Sequence, residues 1–263
     1  MFDRAADSYD AVGAAWFGPI ARGLVAELRP APGGRAIDVG CGRGAALFPL
    51  AEAVGPTGQV TGIDLSPRMV QRTAADAADL PQVQVLVADA NAPGLPPGGA
   101  DVVAASLVLF FLPDPAAALR SWVELLRPGG RLGVSTFGPQ APAWVQVDEL
   151  FTPYLPPAML NARTSGRRGP YASDEGVAAL LGAAGLADVR TAHLCVEAVF
   201  EGPEQWLAFS WSHGQRAMWE VVPADRHEQV RHDAYALLEG LRDTDGVLSL
   251  RQDVRYTLGT RAT

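Results

Sequence analysis

The chain of 263 residues contains no lysine; its 21 basic side chains are all arginine. Schiff-base formation, a lysine general base and the lysine-dependent phosphate loop are therefore excluded. Cysteine is nearly absent as well. Cys41 and Cys195 stand far apart in sequence, so neither a disulfide framework nor a cysteine-rich metal site is expected. Apolar runs fall well short of the roughly 20 residues that a membrane span needs. The opening Met1-Phe2-Asp3-Arg4 lacks the basic-then-apolar layout of a secretory signal, so a cytoplasmic protein without a membrane partner is expected. Positive charge is in deficit too: 29 acidic residues leave a net charge of −8. Such a surface repels nucleic acid and anionic lipid. The one basic cluster, Arg163 to Arg168, reads as a solvated loop. No His/Asp cluster has ligand spacing, so no metal is expected.

What is present is ordinary globular composition, 48% hydrophobic and 19% charged, enough for one sizeable core. Asp3 to Leu28 reads as one or two amphipathic helices with a break near Gly18-Pro19. From Arg35 onward short apolar runs alternate with helical stretches. Strands are expected at Arg35–Val39, Gln59–Ile63, Val83–Ala88, Asp101–Ser106 and Arg131–Thr136. Helices are expected at Arg43–Val54, Pro67–Ala78 and Pro115–Leu126. Strands this apolar belong to a sheet covered on both faces, and the alternation predicts a doubly wound α/β fold. After Phe137 the chain becomes rich in proline and aromatics. A helix then starts at Ser173-Asp174-Glu175, followed by a strand over Ala187–Phe200, a Trp-rich stretch from Gly202 to Trp219, a helix over Pro223–Leu241 and a closing strand from about Gly246 to Leu258. We read a single domain. Residues 1–30 form N-terminal lid helices, 31–137 a cofactor-binding core, 138–172 and 201–222 lid insertions, and 173–200 and 223–263 the remaining core elements.

The strongest motif is Ala36-Ile37-Asp38-Val39-Gly40-Cys41-Gly42-Arg43-Gly44, an apolar strand ending in a glycine-rich turn that opens a helix. Gly40 and Gly42 allow a tight turn and close approach of a ligand. Asp64 ends the next strand, where a carboxylate accepts hydrogen bonds from ribose hydroxyls. Alone, this pattern also suits a nicotinamide dinucleotide. Asp38 argues otherwise, because a carboxylate aimed at the turn repels a pyrophosphate and suits an ammonium beside a sulfonium. Asp89 ends the third strand, placed to accept from an adenine amino group. A hydride-transfer constellation of the Tyr-x-x-x-Lys type is impossible without lysine. One adenosine, one ammonium and no phosphate describe S-adenosylmethionine (SAM).

These features together resemble the class I SAM-dependent methyltransferases (EC 2.1.1), in particular the small-molecule branch that includes the ubiquinone/menaquinone methyltransferases. The matching pieces are Phe2 to Asp10, the glycine loop, Asp64-Leu65-Ser66-Pro67-Arg68-Met69, Asp89-Ala90 and Leu125-Leu126-Arg127-Pro128-Gly129-Gly130, over roughly the first 137 residues. The resemblance implies a Rossmann-like, doubly wound seven-stranded sheet whose last strand is antiparallel, with a helical lid from the N-terminus and C-terminal insertions. It implies Asp38, Gly40, Cys41 and Gly42 around the methionine end, Asp64 and Leu65 at the ribose, and Met69, Asp89 and Ala90 at the adenine. It also places Ser106 beside the cofactor and Tyr9 near the sulfonium. Met69 suits core packing as readily as adenine packing, and Tyr9 reads equally as a helix-docking aromatic. Cys41 reads as a small buried filler, since nothing nearby would lower its pKa.

Transfer from a sulfonium asks the protein mainly for alignment and exclusion of water. In many relatives the stretch after the fourth strand carries a histidine; here Phe110 and Phe111 stand there. His213 is the candidate that accepts a proton from a substrate hydroxyl or orients it, with a partly exposed lid histidine as the alternative. His227 and His232 read as solvated, and His193 as a surface residue. Trp16, Phe17, Phe110, Trp144, Tyr171, Trp206 and Phe209 are the candidate substrate pocket, suited to an aromatic or polyketide-like metabolite of bacterial secondary metabolism. The expected partner is a small molecule, and the expected assembly a monomer or homodimer. A SAM-binding enzyme of the same fold that catalyses cyclisation, decarboxylation or hydroxylation stays open at this point.

Overall fold

The computed structural model describes residues 3, 6, 9, 13–157 and 169–263. Most of the Phe2–Asp10 motif and the Arg163–Arg168 cluster therefore lie outside the described residues. Helix α1 (Phe17–Leu28) leads into β1 (Arg35–Val39), α2 (Leu47–Val54), β2 (Gln59–Asp64), α3 (Pro67–Asp76), β3 (Val83–Val87) and β4 (Ala100–Ser106). Then follow α4 (Pro115–Leu125), β5 (Leu126–Gln140), α5 (Pro142–Glu149), α6 (Asp174–Ala183) and β6 (Leu186–Phe200). The chain continues through α7 (Pro203–Ser212), α8 (Arg216–Val221) and α9 (His227–Glu239) to β7 (Leu248–Arg261).

The seven strands form one sheet in the order β3-β2-β1-β4-β5-β7-β6. β1 to β5 pair in parallel, and β7 runs antiparallel between β5 and β6. Alternate residues of each strand feed two apolar layers. Ala36, Val60, Val102 and Ala104 pack with Leu24 and Leu28 of α1 and Leu47 and Leu50 of α2. Ile37, Ile63, Val103 and Val134 pack with Leu119 and Trp122 of α4 and Val177 and Leu181 of α6. The doubly wound expectation thus holds, including the antiparallel last strand. A cap built from α5, α7, α8 and α9 continues the first layer, through Phe151, Trp206, Trp219 and Ala234. α9 packs on α5 and α7. Among the described residues no helix is long and apolar enough to cross a membrane.

Local chemistry sets the boundaries. Ser66 caps α3 by accepting from the Met69 N–H at 3.1 Å, with Pro67 at the first helical position, where a missing N–H costs nothing. Asp114 and Ser173 cap α4 and α6 in the same way. Two expectations shift. The Gly18-Pro19 break is instead the first turn of α1, and α2 begins at Leu47 rather than Arg43. Gly42 and Gly44 hold φ of 47° and 85°, a left-handed backbone that keeps the loop out of the helix.

Candidate active site

The carboxyl ends of β1, β2 and β3 and the glycine loop form a cradle. Gly40 sits at φ 70°, and a Cβ on it would fall 2.5 Å from Val108, so only glycine fits between the turn and the loop after β4. Asp38 is 1% exposed, and its Oδ2 has no hydrogen-bond partner. Burial, and next the nearby Asp64 charge, push its carboxyl well above the usual carboxylate range; a backbone hydrogen bond from Leu47 offsets this only in part. An unpartnered carboxyl oxygen in a closed site is a place for a cation.

Asp64 is fixed from both sides. Its Oδ2 accepts from Gly42 N–H and its Oδ1 from Ser66 N–H, each at 2.9 Å. Burial raises its pKa and these bonds partly restore it. Asp3 reaches back over the same turn, accepting from the Ser66 hydroxyl and from the Arg68 N–H. Beside Asp64, Leu65 is 69% exposed, and Val87 at the end of β3 is 54% exposed. Val87 lies opposite Asp64 in the register, so Leu65, one residue on, is the apolar side chain that the turn after β2 presents as a surface for a flat ring. Asp89, two residues past the end of β3, is held by Asn91, its Oδ1 accepting from the backbone and side-chain amides at 2.8 Å. Trp122 pins the next residue, its indole N–H donating to Ala90 O at 2.7 Å.

Above the ends of β4 and β5 lies a chain of aromatic rings. Phe110 stacks on Phe137 at 5.7 Å, Phe137 meets Trp16 at 6.3 Å, and Trp16 meets Phe209 at 6.1 Å. Phe209 touches the His213 imidazole at 4.3 Å, His213 faces Phe17 at 5.6 Å, and Phe17 stacks on Tyr9 at 4.8 Å. Tyr171 closes on Phe110 edge-on at 6.5 Å, and its hydroxyl donates to Leu109 O. The N-terminus, the loop after β4, the end of β5, the turn before α6 and α7 thus converge on one wall.

Comparison with known proteins agrees with this geometry. The family described as "Methyltransferase domain" matches residues 37–134. Nocamycin O-methyltransferase of Saccharothrix syringae is 40% identical over 244 residues, covering 88% of this chain and 86% of that protein. The chain belongs to the class I SAM-dependent methyltransferases. Aklanonic acid methyltransferase DauC of Streptomyces sp. strain C5 is 38% identical over 162 residues, 61% of this chain and 74% of that protein. Among solved structures, the YcgJ protein of Bacillus subtilis superposes with a TM-score of 0.62 at 17% identity, covering 92% of this chain and 98% of that one. SAM is accordingly the methyl donor of this methyltransferase, and the residues present fit it: Asp38 would hold an ammonium through its lone oxygen, Asp64 a ribose, and Leu65 and Asp89 an adenine.

The other sequence-derived candidates fall into three groups. Tyr9, Trp16, Phe17, Phe110, Tyr171, Phe209 and His213 are brought together in the ring wall. Trp144 and Trp206 are a layer behind it, in the cap interior, 5% and 2% exposed. Trp144 donates to Ser249 O at 3.0 Å, and Trp206 meets Trp219 at 6.4 Å. Met69 is 1% exposed on the buried face of α3, so Leu65 and not Met69 presents the apolar surface to the cradle. Cys41 is buried, with its thiol pushed far up by burial and by Asp38 and Asp64, which leaves no nucleophile there. The Ser106 hydroxyl is 3.1 Å from that of Ser135. His227, expected to be solvated, is instead packed against Trp219 and 2.9 Å from Val222 O. Val108 and Phe137 were not anticipated. Apolar residues at strand ends read as core unless the neighbouring elements are known.

Proposed function

We propose that this methyltransferase methylates an oxygen of an aromatic or polyketide-like small molecule bound against the ring wall. The observation that carries the reading is the wall itself: aromatic rings from five separate segments meet over the ends of β4 and β5, beside the cradle. The names of the two relatives, an O-methyltransferase of nocamycin and a methyltransferase of aklanonic acid, support it. When bound, SAM supplies a methyl group already activated by its sulfonium. The protein's task is then to hold an acceptor oxygen in line and dry.

His213 supplies the imidazole of the wall. Its Nδ1 accepts from the Gln215 N–H at 3.2 Å, which puts the proton of the neutral ring on Nε2. A ring held in this tautomer donates; it orients an acceptor oxygen rather than removing its proton through Nε2. Gln215 is itself tied to Asp148, its amide donating at 3.1 Å. The acceptor would thus arrive with its own low-pKa oxygen or lose its proton to solvent.

The direct test is chromatographic detection of S-adenosylhomocysteine with a panel of phenolic, enolic and carboxylic polyketide acceptors. Turnover should appear with such acceptors and fall about 10- to 100-fold in His213→Ala, the worth of one hydrogen bond to a charged partner, with SAM affinity unchanged. Asn at 213, which keeps a donor, should recover part of the loss. SAM binding by calorimetry with no turnover on any aromatic acceptor would reject the substrate class.

A further inference from the structure

Under the ring wall lies a line of charges that the methyl-transfer reading leaves unused. Arg255, on β7, is 3% exposed. Its Nη1 donates to Phe137 O at 2.8 Å and to Tyr171 O at 2.9 Å, and its Nε to Asp174 Oδ1 at 2.7 Å. One guanidinium therefore ties together the backbone of two wall residues from different segments. Tyr171 extends the line through its hydroxyl to Leu109 O, next to Phe110. Three pieces of the wall (the loop after β4, the end of β5 and the turn before α6) are set by Arg255 and by what holds Arg255.

What holds it is Asp174, and Asp174 is shared with His193. In the β6–β7 register His193 lies directly across from Arg255, so both side chains leave the same face. His193 Nε2 is 2.8 Å from Asp174 Oδ2, and its Nδ1 is 3.1 Å from Asp253 Oδ2. Both ring nitrogens face carboxylates, which the doubly protonated ring satisfies and the neutral ring does not. The charged groups facing the imidazole are Asp174 from α6 and Asp253 and Arg255 from β7. Close packing leaves the segment no slack: a Cβ on Gly176 of α6 would fall 2.2 Å from Pro170 O in the Tyr171 turn, and one on Gly138 would fall 2.6 Å from Asp253.

We propose that Asp253, His193, Asp174 and Arg255 form a positioning relay that sets the acceptor wall, tightening acceptor binding when His193 is charged and loosening it when His193 is neutral. The inference rests on the ring wall being the acceptor site. The bonds to Asp174 first, and then to Asp253, hold the imidazole above its ordinary pKa of 6.5. Its folded-state pKa being raised, the contribution is complete below pH 6.5 and is lost as pH rises through the higher folded value.

The test compares wild type with His193→Gln, a substitution at a half-exposed site, from about pH 6 to about pH 9. The acceptor KM of wild type should rise about two- to fivefold more across that range than that of the variant, the size set by a partly exposed ion pair. The KM for SAM should be the same in both. Independently of turnover, hydrogen-exchange protection of Tyr171 and Ala172, normalised to the intrinsic rate, should fall by a similar factor in wild type and stay low throughout in His193→Gln. Protection that is equal in the two proteins at every pH overturns the relay. Protection that shifts while the acceptor KM does not overturns the proposal in another way, by showing that the wall is not where the acceptor binds.

Discussion

Asp38 shows how much one buried carboxyl can decide. Burial first, and then the charge of Asp64, hold it well above the ordinary carboxylate range, with its Oδ2 unpartnered. A raised folded pKa means that its stabilising effect is present below the unfolded value of 3.8 and is lost as pH rises through the folded one. The ligand-free protein should therefore gain stability when Asp38 is replaced by Asn, which keeps the shape and cannot ionise. The same change should weaken SAM about 10- to 100-fold, since a hydrogen bond to a charged partner is worth about 1.5–3 kcal/mol. Thermal melts with and without SAM check both halves; equal SAM shifts in the two proteins would remove Asp38 from the ammonium site. Calorimetry in buffers of different ionisation enthalpy adds a second reading. A ligand ammonium favours ionised Asp38, so at a pH where the carboxyl is still protonated before SAM arrives, binding should release a proton, and Asp38→Asn should release none from this site.

At the scale of elements, close packing outweighs intrinsic propensity. Gly23 lies in the middle of α1, where alanine would normally be favoured by about 1 kcal/mol. A Cβ there would fall 2.2 Å from the Tyr256 hydroxyl, which donates to Ile20 O at 2.9 Å. Gly23→Ala should thus destabilise by about 1–3 kcal/mol, the cost of overpacking. Gly182 in α6 has nothing within 4 Å of the same position, and Gly182→Ala should stabilise by about 0.5–1 kcal/mol. Urea unfolding of the two variants measures opposite signs; equal signs would mean that α1 is not pressed onto Tyr256 in solution. The ends of β1, β2 and β3 were readable because each apolar run closes on a glycine or an acid, namely Gly40, Asp64 and Asp89. In the β5–β7–β6 ribbon β6 was readable too, expected at Ala187–Phe200 and found at Leu186–Phe200, whereas β5 and β7 run on to Gln140 and Arg261, since pairing between partners far apart in sequence lengthens them. Site residues followed the same division. Asp38, Asp64 and Asp89 sit at fixed offsets from the glycine loop within consecutive units. Arg255 meets Asp174 across 81 residues, and the available signal was a charge embedded in the apolar run Val254-Arg255-Tyr256.

Across the whole molecule, acids gather in the cradle and rings in the wall, yet one core serves both. Trp219 and Ala234 of the cap belong to the same buried cluster as Leu24 of α1 and Val60 of β2. β7 joins the halves further, because it lies between β5 and β6. Cap and sheet should therefore unfold together. Four of the six tryptophans (Trp144, Trp206, Trp211 and Trp219) are in the cap helices, so tryptophan emission reports chiefly on the cap and far-UV circular dichroism on the whole. Their thermal midpoints should coincide. SAM at 100 times its Kd adds about 2.7 kcal/mol, which for a chain of this length shifts a single transition by about 5–10 °C. Both signals should move by that amount, because the transition is one. If SAM moved the dichroism midpoint and left the tryptophan midpoint behind, the cap would be an independent unit, and acceptor binding could then not be coupled to the cofactor through the core.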